Sequence, residues 1–258
     1  MRKFRHPFSL VFASLFLFSL GWGVDKTLDI AANAMDVSEM GSEITMENVV
    51  NAKTPGYKEV TQYARFNPKT GFQERSRFNK MSIGAFVNTG RALDFALENE
   101  GFFVLKDPRG RIFLTRDGRF EINEKRQLIY MAGGFLVLGA DLSPIDLPPF
   151  TSFKVDKRGQ IYDQENNLLA RIGVVKVADT KLLKTPNNVL FYRDDKDKMQ
   201  LEEVEQASIK QGFYEASNVD YSKTLTKMAA TGGYGANVNI IQTRLKMLDT
   251  MIEMVNKN

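Results

Sequence analysis

The chain contains no cysteine among its 258 residues. Disulfides, thiolate metal sites and a cysteine nucleophile are therefore excluded. Histidine occurs once, as His6, close to the N-terminus. If that segment is removed, the rest of the chain has no histidine for a catalytic triad or a histidine metal site. Glycine patterns that bind nucleotide phosphates are missing as well.

A strong charge of either sign is also missing. The chain has 35 basic and 31 acidic residues, which gives a net charge of +4, and the basic residues are scattered. No basic run alternates with aromatic residues as a nucleic-acid groove requires. We interpret the charges as solvated surface. No nucleic-acid partner, small-molecule substrate, cofactor or metal is expected, and a hydrophobic content of 43% predicts a folded protein.

Residues 1–23 have the pattern of a secretory signal peptide. Three basic residues stand among the first five, and an uncharged, mostly apolar run follows from Phe8 to Trp22. A membrane span needs about 20 apolar residues, so this shorter run favours cleavage near Gly21–Val24. An uncleaved short anchor is the alternative.

Two segments with a helical heptad pattern lie near the two ends of the chain. In residues 24–58, the apolar residues Ile30, Val37 and Ile44 are spaced by seven. In residues 213–258 the helix is expected to begin near Tyr221, and a stricter seam follows. Its members are Val238, Ile241, Leu245, Leu248, Ile252 and Val255. A seam this regular predicts a partner helix, from the same chain or from a neighbouring copy.

The first helix is predicted to stop at the segment Asn51–Lys58. Pro55 has no amide hydrogen and disfavours helical geometry at Thr54, and Gly56 can take a positive φ at little cost. Asn48, just before this segment, occupies the next position of the first heptad seam. An ordinary helix-ending turn without further meaning is the alternative interpretation.

Between the two heptad segments the pattern predicts an irregular connector at residues 59–88 and a β-rich domain at residues 89–212. Two apolar runs at residues 101–106 and 111–115 flank a turn and predict a hairpin. Further short strands are expected at Arg119–Ile122, Leu128–Tyr130, Phe135–Leu138, Phe153–Val155, Gln160–Tyr162 and Ala170–Val177. The predicted fold class is mainly β, a sandwich or barrel-like domain flanked by terminal α-helices that pack as a coiled coil on assembly.

Several stretches, in order along the chain, resemble the rod and hook family of flagellar axial proteins. The resemblance begins at Asn48–Lys58, continues through Thr89–Leu97 and Thr115–Phe120, and ends in Gln211–Val219 and the C-terminal helix. The motif positions are Asn51, Thr54, Pro55, Gly56, Tyr57, Gly90, Arg91, Leu93, Asp94, Gly101, Phe102, Phe103, Thr115, Arg116, Asp117, Gly118, Gln211, Gly212, Ser217, Asn218 and Val219.

The resemblance implies a structural subunit of the basal-body rod and not an enzyme. Such subunits stack helically with copies of themselves and with other rod and hook subunits, the terminal helices inside and the β domain outside. It also implies delivery by the flagellar export apparatus and a place in the periplasm-spanning basal body. A spacer of only about 30 residues between Lys58 and Thr89 favours the proximal over the distal rod type.

The sequence departs from the family pattern in two places, and it leaves two alternative functions open. The signal-like N-terminus conflicts with the family's usual export route, and glycines within residues 231–237 interrupt the C-terminal helix. A periplasmic cell-wall-acting enzyme would need two suitably spaced carboxylates, such as Asp94 with Glu98 or Glu98 with Glu100. A secreted β-rich adhesin is the other alternative, although an adhesin has no need of terminal heptads.

Processing of the N-terminus can be tested directly. Signal cleavage should give a protein that begins near Gly21–Val24, because the uncharged run ends there and Asp25 restores charge. N-terminal sequencing of the protein purified from its own cells is the measurement. An intact Met1 in that protein would contradict cleavage.

Overall fold

The computed structural model describes residues 32–66, 73–148, 153–192, 201–204 and 206–230, together with Lys246. The predicted signal segment lies outside the described residues. So do Ile30 and all six members of the C-terminal seam, namely Val238, Ile241, Leu245, Leu248, Ile252 and Val255. What the sequence predicts for them stays a prediction.

Two α-helices lie in the described part of the chain. Helix α1 covers residues 32–50, with Val37 half-buried and Ile44 buried. Helix α2 covers Tyr221–Ala230 and begins where the sequence predicts. Asp220 caps α2, since its carboxylate accepts a hydrogen bond from the Lys223 amide at 2.9 Å. Within the described residues, no helix combines the length and the apolar character needed to cross a membrane.

The described residues also form seventeen strands, most of them short. Their bounds are β1 Val60–Phe66, β2 Gln73–Asn79, β3 Phe86–Asn88, β4 Asp94–Leu97, β5 Phe102–Lys106, β6 Ile112–Thr115, β7 Gly118–Ile122, β8 Leu128–Tyr130, β9 Leu136–Val137, β10 Lys154–Val155, β11 Gln160–Tyr162, β12 Leu168–Arg171, β13 Val174–Val177, β14 Leu190–Phe191, β15 Leu201–Glu203, β16 Ile209–Gln211 and β17 Phe213–Glu215. A short 3₁₀ turn at Thr180–Leu182 follows β13.

One large antiparallel sheet organises most of these strands. Its order is β14-β6-β5-β9-β8-β7-β4-β16, with β13 beside β5 and β15 beside β13. The predicted hairpin is confirmed as β5–β6, in register at Leu105 opposite Phe113. Three smaller sheets are formed by β10-β11-β12, by β17-β3 and by β1-β2. The β-rich part of the predicted fold class is therefore confirmed.

Strand β5 is buried on both faces and therefore divides the core. Successive side chains of a strand point to opposite sides, so Phe103 and Leu105 join one apolar cluster and Phe102 and Val104 join another. The ring of Phe103 meets that of Phe120 edge-on, with the ring centroids 5.2 Å apart. An uninterrupted apolar run in the sequence is typical of a strand covered on both faces.

The chain divides into two compact units. The β unit comprises the described residues within Glu47–Thr61 and Phe78–Thr224, and it contains the large sheet and both core clusters. The second unit takes the described residues 32–46, 62–66, 73–77 and 225–230 together with Lys246.

The prediction of an irregular connector at residues 59–88 is wrong. Strands β1, β2 and β3 lie in this region. The side chains of β1 and β2 are largely polar, and Tyr63 and Phe78 are exposed. The sequences of these two strands show no regular alternation of apolar and polar residues, which is the main sequence signal for a strand.

Two further boundaries differ from the predictions. The single strand expected over residues 170–177 is two strands, because the chain passes close to another backbone at Gly173, whose amide donates to the Leu138 carbonyl at 2.9 Å. Residues 213–258, which the sequence assigns to the C-terminal helical segment, open with strand β17, which pairs with β3, before α2 begins at Tyr221. The β-rich part thus extends past both ends of residues 89–212.

Candidate functional site

The segment Asn51–Lys58 ends helix α1 and leads into the β unit. The Asn51 amide makes the last helical bond, to the Glu47 carbonyl at 3.1 Å. The Thr54 amide then donates to the Asn51 carbonyl at 3.0 Å, which closes a turn ahead of Pro55. The helix stop that Pro55 and Gly56 predict is therefore confirmed. We call this segment, with the residues that hold it, the joint.

Gly56 is the point of closest approach in the joint. Its φ is +68°, in the left-handed region that glycine adopts most readily. A Cβ on Gly56 would lie 2.5 Å from the amide nitrogen of Asp117. The Gly56 amide donates to the Glu215 carbonyl at 2.8 Å. Gly56 therefore lies between the turn that precedes β7 and the end of β17.

Asn48 and Tyr57 fasten the end of α1 to the start of β1. Asn48 is 4% exposed; its Nδ2 donates to the Val60 carbonyl at 2.8 Å, and its Oδ1 accepts from the Val60 amide at 2.9 Å. The Tyr57 hydroxyl donates to the same Oδ1 at 3.1 Å. The heptad spacing places Asn48 in the first seam. In the structure its side chain instead binds the Val60 backbone and the Tyr57 hydroxyl within the same chain.

Lys58, Glu215 and Arg116 form a buried charge triad. The Lys58 ammonium donates to Glu215 Oε1 at 2.5 Å, and both side chains are fully buried. The Arg116 Nε donates to Glu215 Oε2 at 2.7 Å. The Gly84 amide adds a third donor, at 3.0 Å from Oε1. One carboxylate therefore holds the joint, the β6–β7 turn and the segment before β3 together.

Arg116 also closes the turn between β4 and β5. Its Nη1 donates to the carbonyls of Asn99 and Gly101, both at 2.8 Å, and its Nη2 donates to the Leu97 carbonyl at 2.7 Å. With Glu215 these acceptors use the full donor capacity of the planar guanidinium. Arginine fits this position because its donors fan out in a rigid plane, which a lysine cannot reproduce.

Burial lowers the pKa of Lys58, because the charged ammonium is separated from water. The carboxylate of Glu215 opposes that shift, and the positive charge of Arg116 adds to it. The triad therefore contains two basic groups for one acidic group, in a place without solvent contact.

Asn218 fastens the C-terminal side of the joint. Its Oδ1 accepts from the Glu59 amide at 2.6 Å, and its Nδ2 donates to the carbonyls of Lys80 and Ser82 at 2.7 and 2.9 Å. Asn218 lies three residues before the start of α2 at Tyr221. The last turn of α1 and the first turn of α2 therefore leave the β unit from the same joint.

Asp117 organises the turn against which Gly56 packs. Its carboxylate binds the Arg119 guanidinium through two bonds of 2.9 and 2.8 Å and accepts from the Tyr130 hydroxyl at 3.1 Å. Burial, with the adjacent Asp117 charge, raises the pKa of Tyr130 well above its usual value. The Thr115 hydroxyl donates to the Val189 carbonyl at 3.0 Å, which ties this turn to β14.

The motif at residues 89–94 contacts Gln211 and Gly212. Gly90 has a φ of +68°, and a Cβ there would meet nothing within 4 Å. Asp94 is buried, accepts from Thr89 at 2.6 Å and pairs with Arg91 at 3.2 Å. Gly212, with a φ of +80°, accepts from the Thr89 amide at 2.8 Å.

The other motif positions have structural places in the β unit. Gly118 lies against the Phe95 backbone and the Phe103 ring, where a Cβ would not fit. Three others lie in the core: Leu93 packs on the first cluster with Phe103, and Phe102 belongs to the second cluster. Gly101 takes a φ of +137° in the turn before β5. The Gln211 Nε2 donates to the Ala92 carbonyl, and the Ser217 hydroxyl accepts from the Val219 amide.

Sequence reasoning missed Lys58 and Glu215 as members of the site. Both lie inside quoted motifs, but their charge predicts a solvated surface position, since lysine and glutamate are seldom fully buried. The sequence signal that could have revealed their burial is their position close to Gly56 and Asn218 in the family motifs. A charged residue in a stretch that the fold requires to be tightly packed points to a buried pair.

The carboxylates considered for an enzyme do not face one another across a cleft. Asp94 is held by Thr89 and Arg91, while the exposed Glu98 accepts from the Ser208 hydroxyl at 2.7 Å. Glu100 is 83% exposed and lies near Lys176. Within the described residues no group of acidic or histidine side chains is arranged to hold a metal ion.

The fold and the joint define a β-rich protein in which the end of α1 and the start of α2 both adjoin one joint that contains a buried ion pair. Comparison with known proteins identifies the class. Residues 96–163 match the model of the family described as the flagellar hook protein FlgE/F/G D1 domain.

Relatives extend this match along most of the chain. The flagellar basal-body rod protein FlgG of Agrobacterium fabrum is 24% identical, over 90% of this chain and 99% of the relative. The flagellar basal-body rod protein FlgF of Mesorhizobium japonicum is 26% identical, over 80% of this chain and 87% of the relative. The flagellar hook protein FlgE of Salmonella typhimurium is 28% identical over 46% of this chain. The chain spans about a third of the length of that hook protein.

Residues 96–163 match a domain of the rod and hook family of flagellar axial proteins, and most of the chain is similar to rod proteins of that family. The resemblance expected from the ordered motifs is thereby confirmed. Rod proteins of both names are among the relatives, so the preference for the proximal rod type stays a prediction.

Gly56 and Gly90 form a matched pair for testing the joint. Both have a φ of +68°, but only Gly56 is packed against other atoms. Gly90→Ala should lower the free energy of unfolding by about 1–2 kcal/mol, the cost of a left-handed non-glycine residue. Gly56→Ala should cost roughly 1–3 kcal/mol more, because its Cβ overlaps Asp117. Urea unfolding measures both, and equal losses would show that Gly56 is required for its φ alone.

The triad can be tested by neutralising one partner at a time. Glu215→Gln leaves two buried cations without their carboxylate and should cost about 3–5 kcal/mol in unfolding free energy. Lys58→Met retains the Glu215–Arg116 pair and should cost less, about 1–3 kcal/mol. Lys80→Met is the control, since its pair with Glu59 is 3.6 Å long and Lys80 is 57% exposed; it should change stability by about 0–1 kcal/mol. A Glu215→Gln protein as stable as the control would refute the role of the triad.

Proposed function

We propose that this protein is a structural subunit of the flagellar basal-body rod. In this role it polymerises helically, with copies of itself and with other rod and hook subunits, into the shaft that transmits torque. The alignment with rod proteins over most of the chain supports this assignment.

One observation carries the proposal: both helical ends leave the β unit at the same joint. The Gly56 amide bonds to Glu215, and the Glu59 amide bonds to Asn218. The end of α1 and the start of α2 therefore both lie within a few residues of the joint. A subunit built in this way can contribute both of its ends to one helical layer of an assembly.

The seam residues supply the contacts of that layer. Helical subunits joined head to tail make heterologous contacts that propagate and do not close. The a/d pattern from Val238 to Val255 would bury its apolar stripe against a helix of the same or a neighbouring subunit. Val37 and the residues at its heptad spacing would take part from the N-terminal side.

The joint suits a part that carries mechanical load. The polar side chains of Asn48, Lys58, Arg116 and Glu215 are buried and paired with other groups of the protein, so they hold one geometry without competition from solvent. Torque applied to the helices would pass into the β unit through Glu215 and Asn218.

The site of action follows from the same role. A rod subunit lies in the basal body, where the shaft crosses the periplasm. It would reach that place through the flagellar export apparatus, or through general secretion if residues 1–23 act as a signal. The arrangement of Asp94, Glu98 and Glu100 gives a cell-wall-acting enzyme no support.

A charge placed in the seam should block assembly. Leu245→Asp puts a carboxylate where the coiled coil requires an apolar side chain, and burying it unpaired is costly. The variant should therefore be absent from basal bodies, and cells that carry it should not swim. Electron microscopy of purified basal bodies and soft-agar motility are the measurements.

Thr250→Asp is the matched control, because it replaces an uncharged residue by the same side chain at a position that lies off the seam, between Leu248 and Ile252. It should assemble and support swimming. Circular dichroism of both purified variants should show the β signal of the unaltered protein. Normal motility with Leu245→Asp would contradict the assembly role.

A further inference from the structure

A cavity of about 380 Å³ lies in the β unit, where the loop after β9 approaches strand β12. The loop contributes Asp141, Ser143 and Asp146 to its lining, and β12 contributes Leu169 and Arg171. The side chains of Asp141 and Asp146 are exposed. A cavity of this size lies within the range of sites that bind small organic groups, so it has room for a phenol ring.

The cavity is acidic. Its one basic lining residue, Arg171, is paired with Glu203, with 2.8 Å between Nη2 and Oε1. Among the described residues, no lysine or arginine forms an ion pair with Asp141 or Asp146. The two carboxylates are therefore available to a basic group of another molecule. We call this site the acidic cavity.

Leu142 lies between two residues that line the acidic cavity and has an unfavourable backbone conformation. Its φ is +61°, and the residue is 48% exposed. A left-handed φ is unfavourable for any residue with a Cβ. The other described non-glycine residues with a positive φ are Arg126, Asn166 and Asn188, so Leu142 is the only apolar one. Backbone strain of this kind clusters at functional sites, and an exposed leucine is suited to contact with another molecule.

Strand β12 adds a second exposed apolar side chain. Leu168 is 57% exposed and directly precedes Leu169, which lines the acidic cavity. Exposed apolar side chains thus occur on both of the segments that form the cavity, next to its carboxylates. Protein interfaces combine apolar contacts with a polar rim in the same way.

Residues 62–66 of strand β1, in the second unit, carry chemistry that matches this cavity. Gln62 faces helix α1, since its Nε2 donates to the Val37 carbonyl at 3.5 Å. Successive side chains of a strand alternate, so Tyr63 and Arg65 lie on the opposite side, where both are exposed. Within the described residues β1 pairs with β2 alone. A two-stranded sheet is marginally stable by itself, so cover on its second face would stabilise it.

We propose that the acidic cavity binds strand β1 of a neighbouring copy of this protein. The Tyr63 ring enters the cavity and packs against Leu142 and Leu168, while Arg65 faces the two carboxylates. One chain supplies both complementary surfaces, which favours a second copy over an unrelated partner. Because the two surfaces differ, the contact is heterologous and propagates from copy to copy. This inference rests on the proposed function, since propagating contacts require an assembly.

Crosslinking in purified basal bodies tests the contact, and every thiol is an introduced one because the chain has no cysteine. Ala64→Cys with Ser143→Cys places one thiol on exposed β1 and one at the acidic cavity without removing Tyr63. A short bis-maleimide, which reaches further than a disulfide allows, should give covalent dimers and higher multiples on a denaturing gel. Ala64→Cys with Ala178→Cys is the matched control, because Ala178 is exposed and does not line the cavity. It should remain monomeric.

Charge exchange is a second test that needs no cysteine. Arg65→Asp places a carboxylate against the acidic cavity, and Asp146→Arg places a cation against Arg65. Each change alone should lower the amount of the protein recovered in basal bodies about tenfold, because like charges then face each other. The two changes together restore an attractive pair and should return recovery to within about twofold of the unaltered protein. Circular dichroism of each purified variant should show the unaltered β signal.

Three results would overturn the contact. They are crosslinking no greater than that of the control pair in basal bodies that contain the protein, normal assembly of both single charge variants, and no recovery when the two are combined. Each would leave the rod assignment standing, because the presence of the unaltered protein in basal bodies is scored separately. Absence of the unaltered protein from basal bodies would contradict the rod assignment, and this contact with it.

Discussion

The carboxylate of Glu215 is the interaction on which the joint depends. It accepts from Lys58 in the joint, from Arg116 in the β6–β7 turn and from the Gly84 amide ahead of β3. Its own backbone carbonyl holds the Gly56 amide. A buried ion pair is weak support for overall stability, because removing the ions from water costs about as much as their attraction returns. What Glu215 supplies is position: the joint, the β6–β7 turn and the segment ahead of β3 are held in one arrangement around a single residue.

That arrangement explains why glycine, asparagine and arginine occur where they do. Gly56 must pass close to Asp117, and a side chain there would separate two backbones. Asn48 and Asn218 each use both the carbonyl and the amino group of a short side-chain amide, which lets one residue accept from and donate to the backbone of another segment. Arg116 reaches three carbonyls at once. The roles are geometric, which suits a structural family better than a catalytic one.

Much of the β unit could be predicted from the sequence, because its central strands bury apolar residues in recognisable runs. The β5–β6 hairpin and β7, β8 and β11 lie where turn residues and apolar runs place them. Strands β1 and β2 were missed because their side chains are mostly polar. The break at Gly173 was missed because its cause is another backbone, at Leu138, which is distant in sequence.

The site was predicted only in part, for a related reason. Proline and glycine indicate a turn from the local sequence alone, so the end of helix α1 could be predicted. The partners of Lys58 and Asn48 were not, since burial of a charge or an amide depends on residues far along the chain. Family resemblance identified the motif positions, but it did not reveal that Glu215 connects them.

The Lys58–Glu215 pair also has a consequence for the order of folding. Its two residues are 157 positions apart, so the pair closes a loop that contains nearly the whole β unit. Closing a loop of that length costs conformational entropy, and the local hairpins within it form far more readily. The β sheet is therefore expected to form first, and the joint last. A chain that cannot bring its two helical ends together until its sheet is complete delays its assembly-competent form until folding has finished.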